Sequence, residues 1–236
     1  MSGFFICTDF LKRLDFEYTL NSNMNIAMVI LEEVVMIYRK LGNTTLEVSE
    51  IGLGCEGFVG KDSAQTKQLM DIALNAGVNC MDLYSPNPDM RSNIGLALKG
   101  KRKNFIFQAH ICSIWKDGQY KRTRVLSEIE EGFEDLLTRL QTDYIDIGMI
   151  HYVDAEKDWD EICNGGVMQY AKELKAQGKI HYIGMSSHNP AVSLKAVNSG
   201  LIDVLMFSIN PCYDLLPATE DIEVLFDERS YEKTLL

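Results

Sequence analysis

An α/β fold of the (β/α)8, TIM-barrel type, incomplete at about six β/α units, follows from three observations on this 236-residue chain. First, short apolar runs give way repeatedly to a helical pattern, at Ile51 to Leu53, Val78 to Met81, Phe105 to Phe107, Tyr144 to Ile150, Tyr182 to Met185 and Val204 to Phe207. Strand and helix in alternation imply parallel strands joined by crossover helices. Second, three of the runs deliver Asp82, His110 and His151 just past their apolar positions. Ligands of such sheets bind beyond the carboxyl ends of the strands, so these side chains are expected to converge on one site. Third, the pattern stops near Ser208, which leads us to expect a barrel lacking its seventh and eighth strands.

Along the chain, residues 1–35 mix aromatic and charged positions without sustained periodicity, and a loosely attached or helical N-terminal extension is expected there. The apolar stretch from Met24 to Val35 is too short to span a bilayer, and Glu32 and Glu33 argue against a signal peptide. Residues 36–214 form the expected partial barrel. It opens with a β-hairpin, Tyr38 to Leu41 and Leu46 to Val48 around Gly42-Asn43-Thr44-Thr45, placed to cover the bottom of a barrel. Asp62 or Ser63 caps a helix with Leu69, Ile72, Ala73 and Ala76 on one face, closed by Gly77. A second helix spans about Met90 to Lys99. The third, about Arg124 to Leu140, carries Val125, Ile129, Phe133, Leu136, Leu137 and Leu140 on one stripe, with Glu128, Glu130, Glu131 and Glu134 facing water. A fourth covers about Gly166 to Gln177. The next starts at Asn189-Pro190 and stops before Gly200. Residues 215–236 read as an irregular tail with one short helix, Asp221 to Phe226.

The formal net charge of -11 disfavours nonspecific contact with nucleic acid or an anionic membrane. The six cysteines are scattered and form no Cys-x-x-Cys pair, which excludes zinc-ribbon and iron–sulfur spacings and suggests a reducing, cytoplasmic setting with most thiols in the core.

Two histidines and an aspartate at strand ends suit three readings. They polarise a carbonyl and donate a proton; they hold a metal in a hydrolase; or they are satisfied polar residues of the barrel mouth. His181 precedes the fifth strand and reads as structural. His188 follows it, either joining the site or serving the loop ahead of a helix.

From Tyr38 to about Asp214 the chain resembles the aldo/keto reductases. The segments that carry the likeness are Arg39-Lys40-Leu41-Gly42-Asn43-Thr44, Ile51-Gly52-Leu53-Gly54-Cys55, Met81-Asp82, Ile150-His151 and Ile183-Gly184-Met185-Ser186-Ser187-His188. The most specific is Leu137-Thr138-Arg139-Leu140-Gln141-Thr142-Asp143-Tyr144-Ile145-Asp146. The resemblance implies a (β/α)8 barrel and NADP- or NAD-dependent interconversion of carbonyls and alcohols. A tyrosine tuned by lysine and aspartate would protonate the oxygen, and a histidine would orient the substrate. Carried over, the aspartate is Asp82 and the histidine His151. Asn87 stands where the tyrosine is expected and His110 where the lysine is, as in a subgroup lacking both.

An asparagine amide has no proton of useful acidity, and losing the lysine removes the charge that would tune a phenol. His110 is therefore the first candidate for proton donor, since histidine titrates near neutral pH; Tyr84 is the second. Ser186 and Ser187 match the family's carboxamide-binding pattern, with Asn210 a further candidate. The residues that would bind pyrophosphate belong to strands seven and eight, so nicotinamide cofactor is expected to bind weakly or not at all. The resulting expectation is an impaired, truncated oxidoreductase acting on a small carbonyl substrate, with self-association possible through exposed sheet edges. The alternatives are a noncatalytic ligand- or partner-binding fragment and a metal-dependent hydrolase.

Overall fold

The computed structural model describes residues 36–208. The expected N-terminal extension, the short helix at Asp221 to Phe226, the irregular tail and Asn210 all lie outside them.

All six expected strands form, in one parallel sheet ordered β10-β9-β8-β5-β4-β3 and curled as a half-barrel. They are β3 (Gly52–Gly54), β4 (Cys80–Leu83), β5 (Ile106–His110), β8 (Ile145–Ile150), β9 (Ile180–Ser187) and β10 (Val204–Phe207). Ile145 to Ile150 is buried throughout, as a strand covered on both faces must be. Ahead of the sheet stands the predicted hairpin, β1 (Tyr38–Lys40) against β2 (Glu47–Ser49), with Gly42 at φ +52° in its turn.

Helix α1 (Ser63–Asn75) begins at a capping box: Asp62 accepts from Gln65 N while the Gln65 side chain accepts from Asp62 N. Its buried face differs from the expected one. Thr66, Met70 and Ala73 point inward, whereas Leu69 and Ile72 are exposed. The stripe i, i+4, i+7 is the one that meets the sheet, and nothing among the described residues covers the neighbouring flank. Helix α2 (Pro88–Ala97) starts earlier than its periodicity suggested, because Asn87 Oδ1 accepts from Met90 N and Pro88 sits at the first helical position.

Helix α3 (Leu126–Leu140) buries Ile129, Phe133, Leu136, Leu137 and Leu140 as expected, but Val125 is its exposed N-cap. It crosses α2 closely: a Cβ added at Gly95 would lie 2.1 Å from the Arg139 carbonyl oxygen. Helix α4 (Glu156–Asn164) is an addition to the predicted elements; α5 (Val167–Ala176) and α6 (Pro190–Ser199) match them. Asn189 caps α6 through Ala191 N and Val192 N, and Gly200 ends it at φ +67°.

A second hairpin was not anticipated. Among the described residues, β6 (Ser113–Lys116) and β7 (Gln119–Arg122) pair only with each other, around Asp117-Gly118 at φ +52° and +77°. Those angles are the left-handed pair that a two-residue hairpin loop requires, and Asp-Gly satisfies them at least cost. The hairpin rises from the carboxyl end of β5 and is held against the first turn of α3. Glu128 binds Lys116, Lys121 Nζ (2.8 Å) and Thr123 Oγ1 (2.6 Å). So Glu128 does not face water as its place in a charge run implied; three donors from the hairpin enclose it.

At the amino end of the strands, Asp146 joins β5 to β8. Its carboxylate accepts from Phe107 N (2.9 Å) and Arg102 Nη2 (2.9 Å), and the guanidinium lies over Tyr144, 4.1 Å from the ring centroid. His181 stacks on Tyr144 at this same end, far along the strands from the carboxyl-end site.

Candidate active site

Three parallel strands deliver the polar side chains. Asp82 is the third residue of β4, His110 the last of β5, and His151 follows β8 directly. The register places Asp82 beside Gln108 and His110 beside Met149, so the three emerge at adjacent strand ends. They do converge. His110 Nε2 is 3.0 Å from Asp82 Oδ1, and His110 Nδ1 bonds His151 Nδ1. His110 is buried, 2% exposed, while Asp82 keeps 23% of its side chain open to solvent.

The chain of bonds has a further member. Tyr120, on β7 of the unanticipated hairpin, places its hydroxyl 2.9 Å from His151 Nε2. One assignment of protons satisfies every link: Tyr120 O–H donates to His151 Nε2, His151 Nδ1–H to His110 Nδ1, and His110 Nε2–H to the Asp82 carboxylate. His151 stays neutral in this arrangement. Burial, then the nearby His110, Arg124, Arg122 and His188, push its imidazole down to about 2.

Tyr84 forms a wall of the same cluster. Its ring is 6.3 Å from that of His151 in a stacked orientation and 6.3 Å from His110 edge-on. Burial, followed by the Glu56 carboxylate, drives its phenol well above the usual range. Asn87, at the position where the family places its tyrosine, spends its amide oxygen on the cap of α2.

The turn that presents His151 is strained and clamped. Tyr152 has φ +57°, uncommon for a non-glycine residue. Arg124 Nη2 donates to both the His151 and the Tyr152 carbonyls at 2.8 Å, and Ser186 Oγ accepts from Tyr152 N at 2.9 Å. Ser186 therefore belongs to this mouth, its oxygen 3.4 Å from His151 Nδ1.

Ser187 and His188 belong to a separate cluster. The Asp154 carboxylate accepts from Ser187 Oγ (3.2 Å), His188 N (2.6 Å) and His188 Nδ1 (2.9 Å). Burial opposes ionisation of Asp154, but the hydrogen bonds from His188 outweigh it and leave the carboxyl below its usual range. His188 thus bonds Asp154 through both its backbone N and its ring Nδ1 and not the line of Asp82, His110 and His151.

Among the described residues no group of three histidine, cysteine or acidic side chains is arranged to hold a metal. Asp82, His110 and His151 bond one another in a line instead of facing a common centre. The described cysteines, Cys55, Cys80, Cys112 and Cys163, are free thiols. No helix of the described residues is long and apolar enough to cross a membrane.

Sequence reasoning missed Tyr120 because β7, Gln-Tyr-Lys-Arg, carries no apolar alternation. The signal that was present is Asp117-Gly118, which marks a two-residue hairpin and fixes which residues flank it.

Comparison with known proteins points one way. The sequence profile of the Aldo/keto reductase family matches residues 50–225. The uncharacterized oxidoreductase YqkF of Bacillus subtilis is 31% identical over 71% of this chain and 55% of its own length. The aldo-keto reductase YhdN of the same organism is 29% identical over 80% of this chain and 57% of its own. The chain thus spans little more than half the length of these relatives. Among solved structures, the holo form of aldo-keto reductase AKR11C1 from Bacillus halodurans superposes with a TM-score of 0.62. It shares 29% identity and covers 74% of this chain and 58% of its own.

Proposed function

Because the chain belongs to the aldo/keto reductase family, we propose that it takes part in nicotinamide-dependent interconversion of a small carbonyl compound and its alcohol. The observation that carries this reading is the hydrogen-bonded line of Asp82, His110 and His151 at the carboxyl ends of adjacent parallel strands. That is where ligands of such sheets bind. A bound nicotinamide cofactor would supply the redox chemistry, its reduced form giving a hydride to the carbonyl carbon and its oxidised form taking one from the alcohol.

The chain's own residues handle the oxygen. The substrate oxygen lies beside Tyr84 at the open end of this line, where neutral His151, both of its ring nitrogens engaged, positions the Tyr120 hydroxyl. His110 and Asp82, hydrogen-bonded behind it, stand where the family's lysine and aspartate stand and hold a proton in reserve. Of the described serines, Ser186 fits the carboxamide of the cofactor: it accepts from Tyr152 N, and its own proton has only a 3.4 Å approach to His151. Ser187 fits less well, since its hydroxyl already serves Asp154.

The test is titration of the purified chain with NADPH and with NADH, followed by cofactor fluorescence, then an aldehyde and ketone screen. Saturable binding with turnover supports the reading. A folded chain that neither binds nor turns over would favour a noncatalytic ligand- or partner-binding role.

A further inference from the structure

We infer that Tyr120 is the proton donor of this site, presented by the β6–β7 hairpin and supplied through His151 and His110. This rests on the carbonyl–alcohol reading above. It goes beyond it by assigning the acid to a residue on an element outside the barrel strands.

Geometry carries the inference. A donor must reach the substrate oxygen and be reprotonated. Asn87 meets neither need, its side chain being spent on a helix cap. Tyr84 meets His110 and His151 through its ring, at centroid distances of 6.3 Å. His110 is 2% exposed and enclosed by Asp82 and His151. Tyr120 alone combines a solvent-accessible ring, 38% exposed, with a hydroxyl in the line, 2.9 Å from His151 Nε2. Its ring stands edge-on to Tyr84, centroids 6.4 Å apart. Its position is fixed from behind, because Glu128 grips Lys116 and Lys121 on either side of it and Ile114 packs on Gly132.

The step balances as follows. In reduction, the line starts one proton above the resting assignment: His110 carries protons on both ring nitrogens beside the Asp82 carboxylate, and His151 is the Nε2–H tautomer donating to the Tyr120 oxygen. As the hydride of a reduced nicotinamide dinucleotide forms the new C–H bond, the carbonyl π pair takes the Tyr120 hydroxyl proton. The phenolate oxygen takes the proton from His151 Nε2, and His151 Nδ1 takes one from His110 Nδ1. His110 ends neutral, its Nε2–H still on Asp82, and the line is recharged by the reverse hops, a water proton entering at the exposed Tyr120 hydroxyl and passing through His151 to His110 Nδ1. Oxidation of the alcohol runs the same transfers backwards.

The experiment uses the full chain with ¹⁵N-labelled histidine, as wild type, Tyr120→Phe and Tyr84→Phe. Without cofactor, long-range ¹H–¹⁵N spectra read the tautomer of His151. We expect Tyr120→Phe to move the His151 Nε2 resonance, with circular dichroism unchanged. With NADPH and an aldehyde, kcat should fall about 100-fold or more, the scale of a lost general acid, while KM stays within about threefold. Wild-type turnover that survives Tyr120→Phe within twofold overturns the assignment alone, as does a loss confined to Tyr84→Phe. A wild-type chain that neither binds NADPH nor turns over any carbonyl overturns the reaction reading, and the catalytic role of Tyr120 with it. An unmoved His151 resonance in Tyr120→Phe overturns the relay whatever the kinetics.

Discussion

His110 and His151 are hydrogen-bonded Nδ1 to Nδ1, so only one of the two rings carries a proton at that contact. The pair therefore cannot be doubly charged without breaking. Two imidazolium rings in this geometry would point N–H at N–H.

From this follows a pH dependence. The folded state holds His151 down near 2, chiefly by burial, whereas the unfolded chain protonates it near the ordinary 6.5. The unfolded state thus binds the extra proton, and stability declines as pH falls below about 6.5. The slope is about 1.4 kcal/mol per pH unit for one proton. Urea unfolding at pH 6, 5 and 4 should show His151→Gln with a shallower decline than wild type; parallel slopes would count against a neutral His151.

Glu128 works in the same direction, at lower pH. Its hydrogen bonds to Lys116, Lys121 and Thr123 hold its carboxyl down at about 2, against an ordinary 4.5. The folded state binds this proton more weakly than the unfolded chain, so the clamp is fully present above pH 4.5 and is lost as pH falls toward 2. Glu128→Gln should mimic acid at neutral pH. Hydrogen exchange at the amides of β6 and β7 is expected to speed up, with α3 beyond its first turn unchanged.

Asp146 ties two strands and one arginine together in a mostly buried setting; its side chain is 9% exposed and that of Arg102 is 14% exposed. Asp146→Ala leaves the guanidinium and Phe107 N without their shared acceptor. Breaking a buried pair from one side costs about 3–5 kcal/mol, and chemical denaturation should register it.

Helices α2 and α3 can approach as they do only because position 95 lacks a side chain. Gly95→Ala drives a methyl into the Arg139 carbonyl, and overpacking of this kind costs about 1–3 kcal/mol. Gly57→Ala, where an added methyl meets nothing within 4 Å, should change the melting temperature little. Equal effects at the two positions would show that backbone entropy, not contact, governs both.

Much of the scaffold was legible in the sequence, for physical reasons that also mark the limits. Buried parallel strands are continuous apolar runs, so all six strands and the polar residues closing three of them could be located. Helix caps such as Asp62 and Asn189 are local chemistry and were equally readable. Which flank of α1 is covered depends on neighbours, and Leu69 and Ile72 were assigned inward on periodicity alone. Glu128 looked like one solvated acid among several because its partners lie on a hairpin with no apolar pattern. Ser187 matches the family's carboxamide pattern and His188 suits either the mouth or the loop ahead of a helix, and only the fold reveals Asp154 as their acceptor.

The β6–β7 hairpin pairs with no barrel strand; its register is set by Asp117-Gly118, and side chains alone fasten it. Proton delivery is thereby written on an interchangeable cassette while the sheet keeps the substrate geometry. Adding one residue to β7 would turn Tyr120 to the opposite face of the ribbon without disturbing Asp82, His110 or His151. Chemistry in this scaffold could drift, or be redesigned, by exchanging about ten residues and leaving the core untouched.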